Sequence, residues 1–141
     1  MSSINTIQDE IIENFDFFED WDDKYAHIIE MGKELQPLKE KYKTDDNIIK
    51  GCQSRVWLNA EMEGKNLLFS ADSDAIIVKG LVAMLLKVFS NHTPDEIMSS
   101  DIYFMEKIGM ANHLSPTRSN GLVAMVKQIK LYALAYKTKM G

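Results

Sequence analysis

The sequence is poor in the residues that build cross-links and metal centres. It has one cysteine, Cys52, in 141 residues, so a disulfide within the chain is impossible. The three histidines, His27, His92 and His113, show no His-x-x-x-His spacing, and a metal site needs three or four ligands. An iron–sulfur cluster normally takes four thiolates. We therefore expect no disulfide framework and no metal or cluster held by this chain.

Strong positive charge and long apolar runs are missing as well. Sixteen Lys and Arg stand against 21 Asp and Glu, a net charge of −5, which argues against nucleic acid as a partner. No stretch approaches the roughly 18 apolar residues that span a bilayer, and Met1–Asn5 lacks the start of a signal peptide. An unpaired cysteine suits a reducing compartment. We expect a cytoplasmic protein with neither nucleic acid nor membrane as partner.

What is present fits one globular domain, residues 1–141, with 45% apolar and 26% charged residues. The first predicted helix runs from Ile7 to Phe18, with Thr6 and Asp9 as its capping signal. A second helix begins after Asp20 and has Gly32 as its predicted C-cap. Both helices carry an apolar stripe, which indicates core packing.

A β-hairpin is predicted over about residues 55–71. Arg55–Glu63 alternates apolar and polar residues, Glu63–Asn66 is typical of a turn, and Leu67–Ala71 forms the returning strand. Asp72, Ser73 and Asp74 then offer capping oxygens to the next helix.

That next helix, Ala75–Ser90, is broadly apolar and is predicted to be central. Gly80 lies inside it at a cost of about 1 kcal/mol relative to Ala, and either marks a close approach to another backbone or is simply tolerated. Thr93, Pro94 and Glu96 start a short helix that reaches about Ser99.

The remaining elements are mainly helical. Asp101–Phe104 is either an extended piece or a third strand, and Met105–Met110 is predicted to form one or two helical turns. Ser115 and Pro116 open a last helix that reaches the C-terminus. The pattern indicates an α+β domain: N-terminal helices, a small antiparallel sheet, then C-terminal helices.

Cys52 lies between the charged stretch Lys39–Asn47 and the predicted hairpin, next to Gly51. Lys50 and Arg55 are positive charges that favour the thiolate, the reactive form of cysteine. Free cysteines are more often small buried hydrophobes. Position and neighbours alone leave both interpretations open.

Two features near the last helix bear on the site. A Cys52–His113 nucleophile–base pair would resemble a hydrolase, but the sequence does not show that the two residues meet. Thr117–Asn120 would lie in the first turns of the helix, where amides and the helix dipole favour an anion.

Three motifs in register carry a specific resemblance. Gly51–Trp57 (GCQSRVW), Asp72–Leu81 (DSDAIIVKGL) and His113–Leu122 (HLSPTRSNGL) together resemble the SufE family of sulfur acceptors, which includes the CsdE type. The similarity extends from Trp21–Tyr25 to the last helix, and Thr117, where serine is common, is a conservative departure.

The resemblance implies an α+β fold similar to IscU-type scaffolds and a role in iron–sulfur cluster assembly. A SufS/CsdA-type cysteine desulfurase, which carries pyridoxal phosphate (PLP), would donate persulfide sulfur to Cys52, and a SufBCD-type scaffold would receive it. The chain would stimulate the desulfurase as a co-catalyst without a cofactor of its own, as a monomer or a homodimer.

Beside Cys52, supporting roles are expected for Arg118, Gly51, Gln53, Ser54, Asp74 and His113. Arg118 either stabilises the sulfur anion or forms a surface ion pair, and Asp74 is favoured as a helix cap over a catalytic group. The rival interpretation is a cytoplasmic thiol redox sensor or regulator, although such sensors usually have a second, resolving cysteine.

Overall fold

The computed structural model describes residues 3–36, 38–49, 55–110 and 116–140. These residues form helices, then an antiparallel hairpin, then further helices, so the predicted α+β class is confirmed. The elements are α1 Ile4–Asp16, α2 Trp21–Lys33, two 3₁₀ turns at Glu40–Tyr42 and Asp45–Asn47, β1 Val56–Glu63, β2 Asn66–Ser73, α3 Ile76–Phe89, α4 Pro94–Ser99, α5 Phe104–Ile108 and α6 Pro116–Met140.

The first helix begins earlier than its sequence signal. Ser3 is its N-cap, and the Ser3 hydroxyl accepts a hydrogen bond from the Thr6 amide at 3.1 Å. The predicted start at Thr6 and Ile7 is therefore wrong by one turn. The second helix begins where predicted, with Asp20 as its N-cap.

Helices α2 and α3 cross in backbone contact at two glycines. A Cβ added to Gly80 would lie 2.1 Å from the carbonyl oxygen of Ile28, and one added to Gly32 would lie 2.8 Å from the Gly80 amide nitrogen. The predicted close approach at Gly80 is confirmed. Gly32 as a C-cap is wrong: it is buried inside α2, whose C-cap is Glu34, and its role is to let α3 approach.

The hairpin follows the alternation of its sequence. β1 and β2 pair antiparallel from Val56 opposite Ser73 to Glu63 opposite Asn66, and Gly64 turns the chain at a φ of 62°. The inward side chains, such as Leu58, are buried in the core, and β2 packs against α3. The predicted hairpin is confirmed.

The undecided stretch after α4 is not a strand, because a buried side chain occupies its backbone groups. The amide of Gln8 donates to the Asp101 carbonyl at 3.0 Å and accepts from the amides of Tyr103 and Phe104 at 2.9 and 3.2 Å. Phe104 then starts the helical turn that the sequence predicts over Met105–Met110.

The short helix α4 and the last helix behave as predicted. Thr93 and Glu96 form a capping box at the start of α4. Along α6, the buried residues include Leu122, Ile129 and Ala133; the proposed cap, Ser115, lies outside the described residues. No helix among the described residues is long and apolar enough to cross a bilayer.

Candidate functional site

The predicted sulfur acceptor, Cys52, lies in the chain between Ile49 and Arg55, which the structure describes. Residues 50–54, the Cys52 segment, are outside the described residues, and so are the candidates Gly51, Gln53 and Ser54 within it. His113 is outside them too. Arg118 lies in the first turn of α6, and its side chain is not among those described. The residues that border the Cys52 segment therefore define the site.

Both ends of the Cys52 segment are tied to the open end of the hairpin. On the entering side, the Ile49 amide donates to the Val56 carbonyl at 2.9 Å, and Ile48 forms an antiparallel bridge with Trp57. On the leaving side, Arg55 hydrogen-bonds to Asp74 beyond β2. The hairpin thus fixes where the Cys52 segment begins and ends.

Asp74 acts on the hairpin and not on the helix. Its carboxylate accepts from the Arg55 amide at 3.1 Å, and its own amide donates to the Arg55 carbonyl at 3.3 Å. The N-cap of α3 is Ala75, which makes no side-chain capping bond. The prediction of Asp74 as a helix cap is wrong, because a residue two positions before the helix is better placed to extend the strand pairing.

A charged cluster lies on the outer face of the same end of the hairpin. Asp72 sits opposite Trp57 in the strand register and is only 7% exposed. One carboxylate oxygen is 3.3 Å from the Lys43 ammonium and the other is 3.3 Å from the Lys79 ammonium. The Lys43 ammonium also lies 5.6 Å from the centre of the Trp57 ring, a cation–π distance.

The cluster alters the titration of its members. Burial of Asp72 works against its charged form, but hydrogen bonds from the Ser73 amide and Lys43, with the charge of Lys79, outweigh it, so the pKa of Asp72 is lowered. The hydrogen bond to Asp72 raises the pKa of Lys43. Asp72 therefore stays ionised between two cations, close to the end of the Cys52 segment.

Sequence reasoning missed this cluster. The predicted hairpin ends at Ala71, with Asp72 expected to offer a capping oxygen to the next helix, but Asp72 lies inside β2 and α3 has no side-chain cap. No sequence signal pairs Asp72 with Lys43, which lies before the Cys52 segment. The contact is tertiary, so only the fold reveals it.

The chain before the Cys52 segment also borders α6. A cleft of about 390 Å³ is lined on one side by Asp45, Asp46, Ile48 and Ile49, and on the other by Ala124 and Gln128 of α6. Arg118 and the HLSPTRSNGL motif precede Ala124 in the chain. The described residues before the Cys52 segment and those just after the HLSPTRSNGL motif therefore line one cleft, and the Asp72–Leu81 motif contributes Asp72 and Asp74 to the end of the hairpin.

Of the two described histidines, His92 is buried and His27 is half-buried beside the core. His27 packs between the rings of Phe15 and Phe18, each centroid 5.1 Å away, and burial with the charge of Lys87 lowers its pKa. His92 is buried and pairs with Leu67 of β2. Among the described residues, no group of three His, Cys, Asp or Glu side chains is suited to hold a metal.

This chain is an α+β domain, and its only cysteine lies on a segment tied to the end of a hairpin. These features place it in a class of single-thiol proteins. Residues 9–133 match the model of the SufE family, described as an Fe-S metabolism associated domain. An uncharacterized SufE-like protein of Rhizobium etli is 43% identical over 127 residues, covering 86% of each chain. This chain belongs to the SufE family.

A solved structure supports the fold independently. The solution structure of a hypothetical protein from Thermus thermophilus superposes with a TM-score of 0.78, covering 94% of this chain and 96% of that one. Its sequence identity of 16% limits the likeness to the fold.

Proposed function

We propose that this chain is a cytoplasmic sulfur carrier in iron–sulfur cluster assembly. It accepts persulfide sulfur on Cys52 from a SufS/CsdA-type cysteine desulfurase, which holds the PLP, and it stimulates that enzyme. It then passes the sulfur to a SufBCD-type scaffold. The observation that carries this proposal is membership in a family associated with Fe-S metabolism, in a chain whose only thiol lies between two fixed ends.

The transfer step needs one thiolate and no external oxidant. The Cys52 thiolate attacks the outer sulfur of the desulfurase persulfide, and a new S–S bond forms on Cys52. The old S–S bond breaks, and its electron pair leaves with the desulfurase cysteine as a thiolate. A neutral sulfur atom has moved, so the two proteins end with the same total charge.

The composition supports a carrier over a sensor. A carrier needs a single thiol, whereas redox-sensor cysteines often stand beside a resolving cysteine, and this chain has only Cys52. The two tied ends of the Cys52 segment support the proposal as well, because a reacting group held at a defined place reacts faster with a docked partner.

Intact mass spectrometry tests the proposal after incubation with a cysteine desulfurase, PLP and free cysteine. We expect adducts of about 32 Da per sulfur that reductant removes, with Cys52→Ser as the unmodified control. A chain that takes up no sulfur from several desulfurases, but gains about 16 Da under mild peroxide that Cys52→Ser does not gain, would instead be a redox sensor.

A further inference from the structure

The outer face of α6 carries a row of exposed aliphatic side chains. Val123, Leu131 and Leu134 are 51%, 56% and 46% exposed. At 3.6 residues per turn they fall within one sector of the helix, about 80° wide and about 16 Å long, on the side away from the buried residues Met125 and Ile129. We call this row the α6 stripe. Because apolar surface is stabilised when it leaves water, a clustered exposed row indicates a contact surface.

The charge around the α6 stripe is entirely positive. Lys127 lies in the middle of the stripe and is exposed, and it forms no ion pair with any described residue. Residues 116–140 contain five Lys and Arg and no Asp or Glu. Two copies of the stripe would therefore repel each other, whereas an apolar surface bordered by carboxylates would complement it.

A surface of that kind lies at the end of α1 in the same chain. Phe17 is 82% exposed, and its ring is packed edge-on against Phe18 at 5.7 Å between centroids. Glu13 lies one turn before Phe17 on the same helix face, and Glu10 lies about one turn before Glu13; both are exposed, and neither forms an ion pair with a described residue. Residues 4–34 carry ten Asp and Glu against two Lys. Phe17, Glu13 and Glu10 form what we call the Phe17 face.

We propose that two copies of this chain associate, with the Phe17 face of one copy against the α6 stripe of the other. The Phe17 ring covers Leu131 and Leu134, and Glu13 of one copy pairs with Lys127 of the other. Both faces belong to one chain, so a two-fold dimer makes the contact twice. Faces this small are typical of weak, reversible association. The association does not depend on sulfur transfer.

Sedimentation equilibrium over a range of protein concentrations tests the association. The apparent mass should rise from that of one chain, 16.1 kDa, toward that of two. Leu131→Glu should weaken the association by at least about tenfold, because it places a charge in the apolar centre of the contact. Ile76→Glu is the matched control, since Ile76 is also exposed but lies on α3, outside both faces, and it should change the dissociation constant by less than about twofold.

A charge exchange identifies which two faces meet. Lys127→Glu and Glu13→Lys should each weaken the association by about tenfold, because each places like charges together. The double variant should return to within about threefold of the parent, a recovery that a folding defect cannot produce. Lys65→Glu at the exposed hairpin turn changes the net charge as Lys127→Glu does and should have little effect.

Three results would overturn the dimer. The first is a parent that keeps the mass of one chain at every concentration, and the second is an equal loss in Leu131→Glu and Ile76→Glu. The third is a double variant that does not recover. If the parent stays monomeric and Leu131→Glu instead weakens binding to a cysteine desulfurase, the α6 stripe belongs to that partner and self-association is refuted. A parent that dimerises but accepts no sulfur would contradict the proposed function alone.

Discussion

Two regions of the molecule, the crossing of α2 with α3 and the surroundings of the Cys52 segment, are held together in different ways. Where α2 and α3 cross, backbone lies against backbone, and even the Cβ of alanine at Gly80 would come within 2.1 Å of a carbonyl oxygen. Around the Cys52 segment, the buried Ile49 and Val56 are accompanied by hydrogen bonds and ion pairs of residues 38–49, Arg55, Asp72 and Asp74. Close packing permits one arrangement only, whereas polar contacts can be exchanged for those of a partner at small net cost. Rigidity and adaptability are therefore divided between these two regions.

The largest expected effect is at the helix crossing. Gly80→Ala should lower the free energy of unfolding by about 3 kcal/mol, because the neighbouring atom is rigid backbone and the helices must separate. Urea denaturation followed by circular dichroism measures this. Gly64→Ala is the control: it meets nothing within 4 Å, and only its φ of 62° opposes the change, so it should cost about 1 kcal/mol. Equal losses of unfolding free energy in the two variants would show that close packing at the helix crossing does not contribute the extra stability expected of it.

Burial strengthens polar contacts too, as Gln8 should show. Gln8→Ala removes a buried amide and leaves the Asp101 carbonyl and two backbone amides unpaired, so we expect a loss of about 2 kcal/mol. Tyr42→Phe, which removes one exposed hydrogen bond, should cost less than about 0.5 kcal/mol. The same denaturation curves measure both, and a similar loss in the two variants would contradict the role given to burial.

Asp72 should make stability sensitive to acid. Its folded pKa lies below its ordinary value of 3.8, so its ion pairs stabilise the fold above that pH, and this contribution is lost as pH falls through the folded pKa. Denaturation curves from about pH 6 down to about pH 3 should therefore show a steeper loss in the parent than in Asp72→Asn. Parallel curves would mean that Asp72 does not contribute charge to stability.

A small stability change with a local consequence is expected at Asp74. Asp74→Ala frees the Arg55 amide and should cost less than about 1 kcal/mol, because the bond is exposed. We expect alkylation of Cys52 to become about two- to threefold faster as the leaving end of its segment loosens. Asp74→Asn keeps an acceptor oxygen and should behave like the parent. Identical rates in Asp74→Ala and the parent would show that this attachment does not constrain the segment.

Local signals predicted most of the elements. The alternation of Val56–Glu63 with Gly64 at the turn predicted the hairpin, and Thr93 with Glu96 predicted the start of α4. Gly80 was open to two interpretations, and the structure selects the close approach. The hairpin and the start of α4 depend on residues that are close together in the sequence. Gly80 stands out because a glycine inside a helix carries an energetic cost.

The start of α1 was missed although its cap, Ser3, is local, but the other errors share a cause: the deciding contact was with another element. Gly32 has the composition of a C-cap, but it is buried where α3 crosses α2. Asp74 precedes a helix as a cap would, but its carboxylate meets Arg55 across the hairpin. The Lys43–Asp72 pair joins two segments on opposite sides of the Cys52 segment, and no pattern in either segment predicts it. For Cys52 itself, local patterns left open whether the thiol is reactive or simply buried. The resemblance to the SufE family favoured the reactive interpretation, as a sulfur acceptor.

The central claim is tested most directly by a mass balance in a single transfer. A cysteine desulfurase loaded with persulfide and freed of cysteine is mixed with this chain, and the intact masses of both proteins are followed with time. We predict that the desulfurase loses about 32 Da as this chain gains about 32 Da, with no gain in Cys52→Ser. A desulfurase that keeps its sulfur in the presence of the parent chain, or that loads Cys52→Ser equally, would contradict the account.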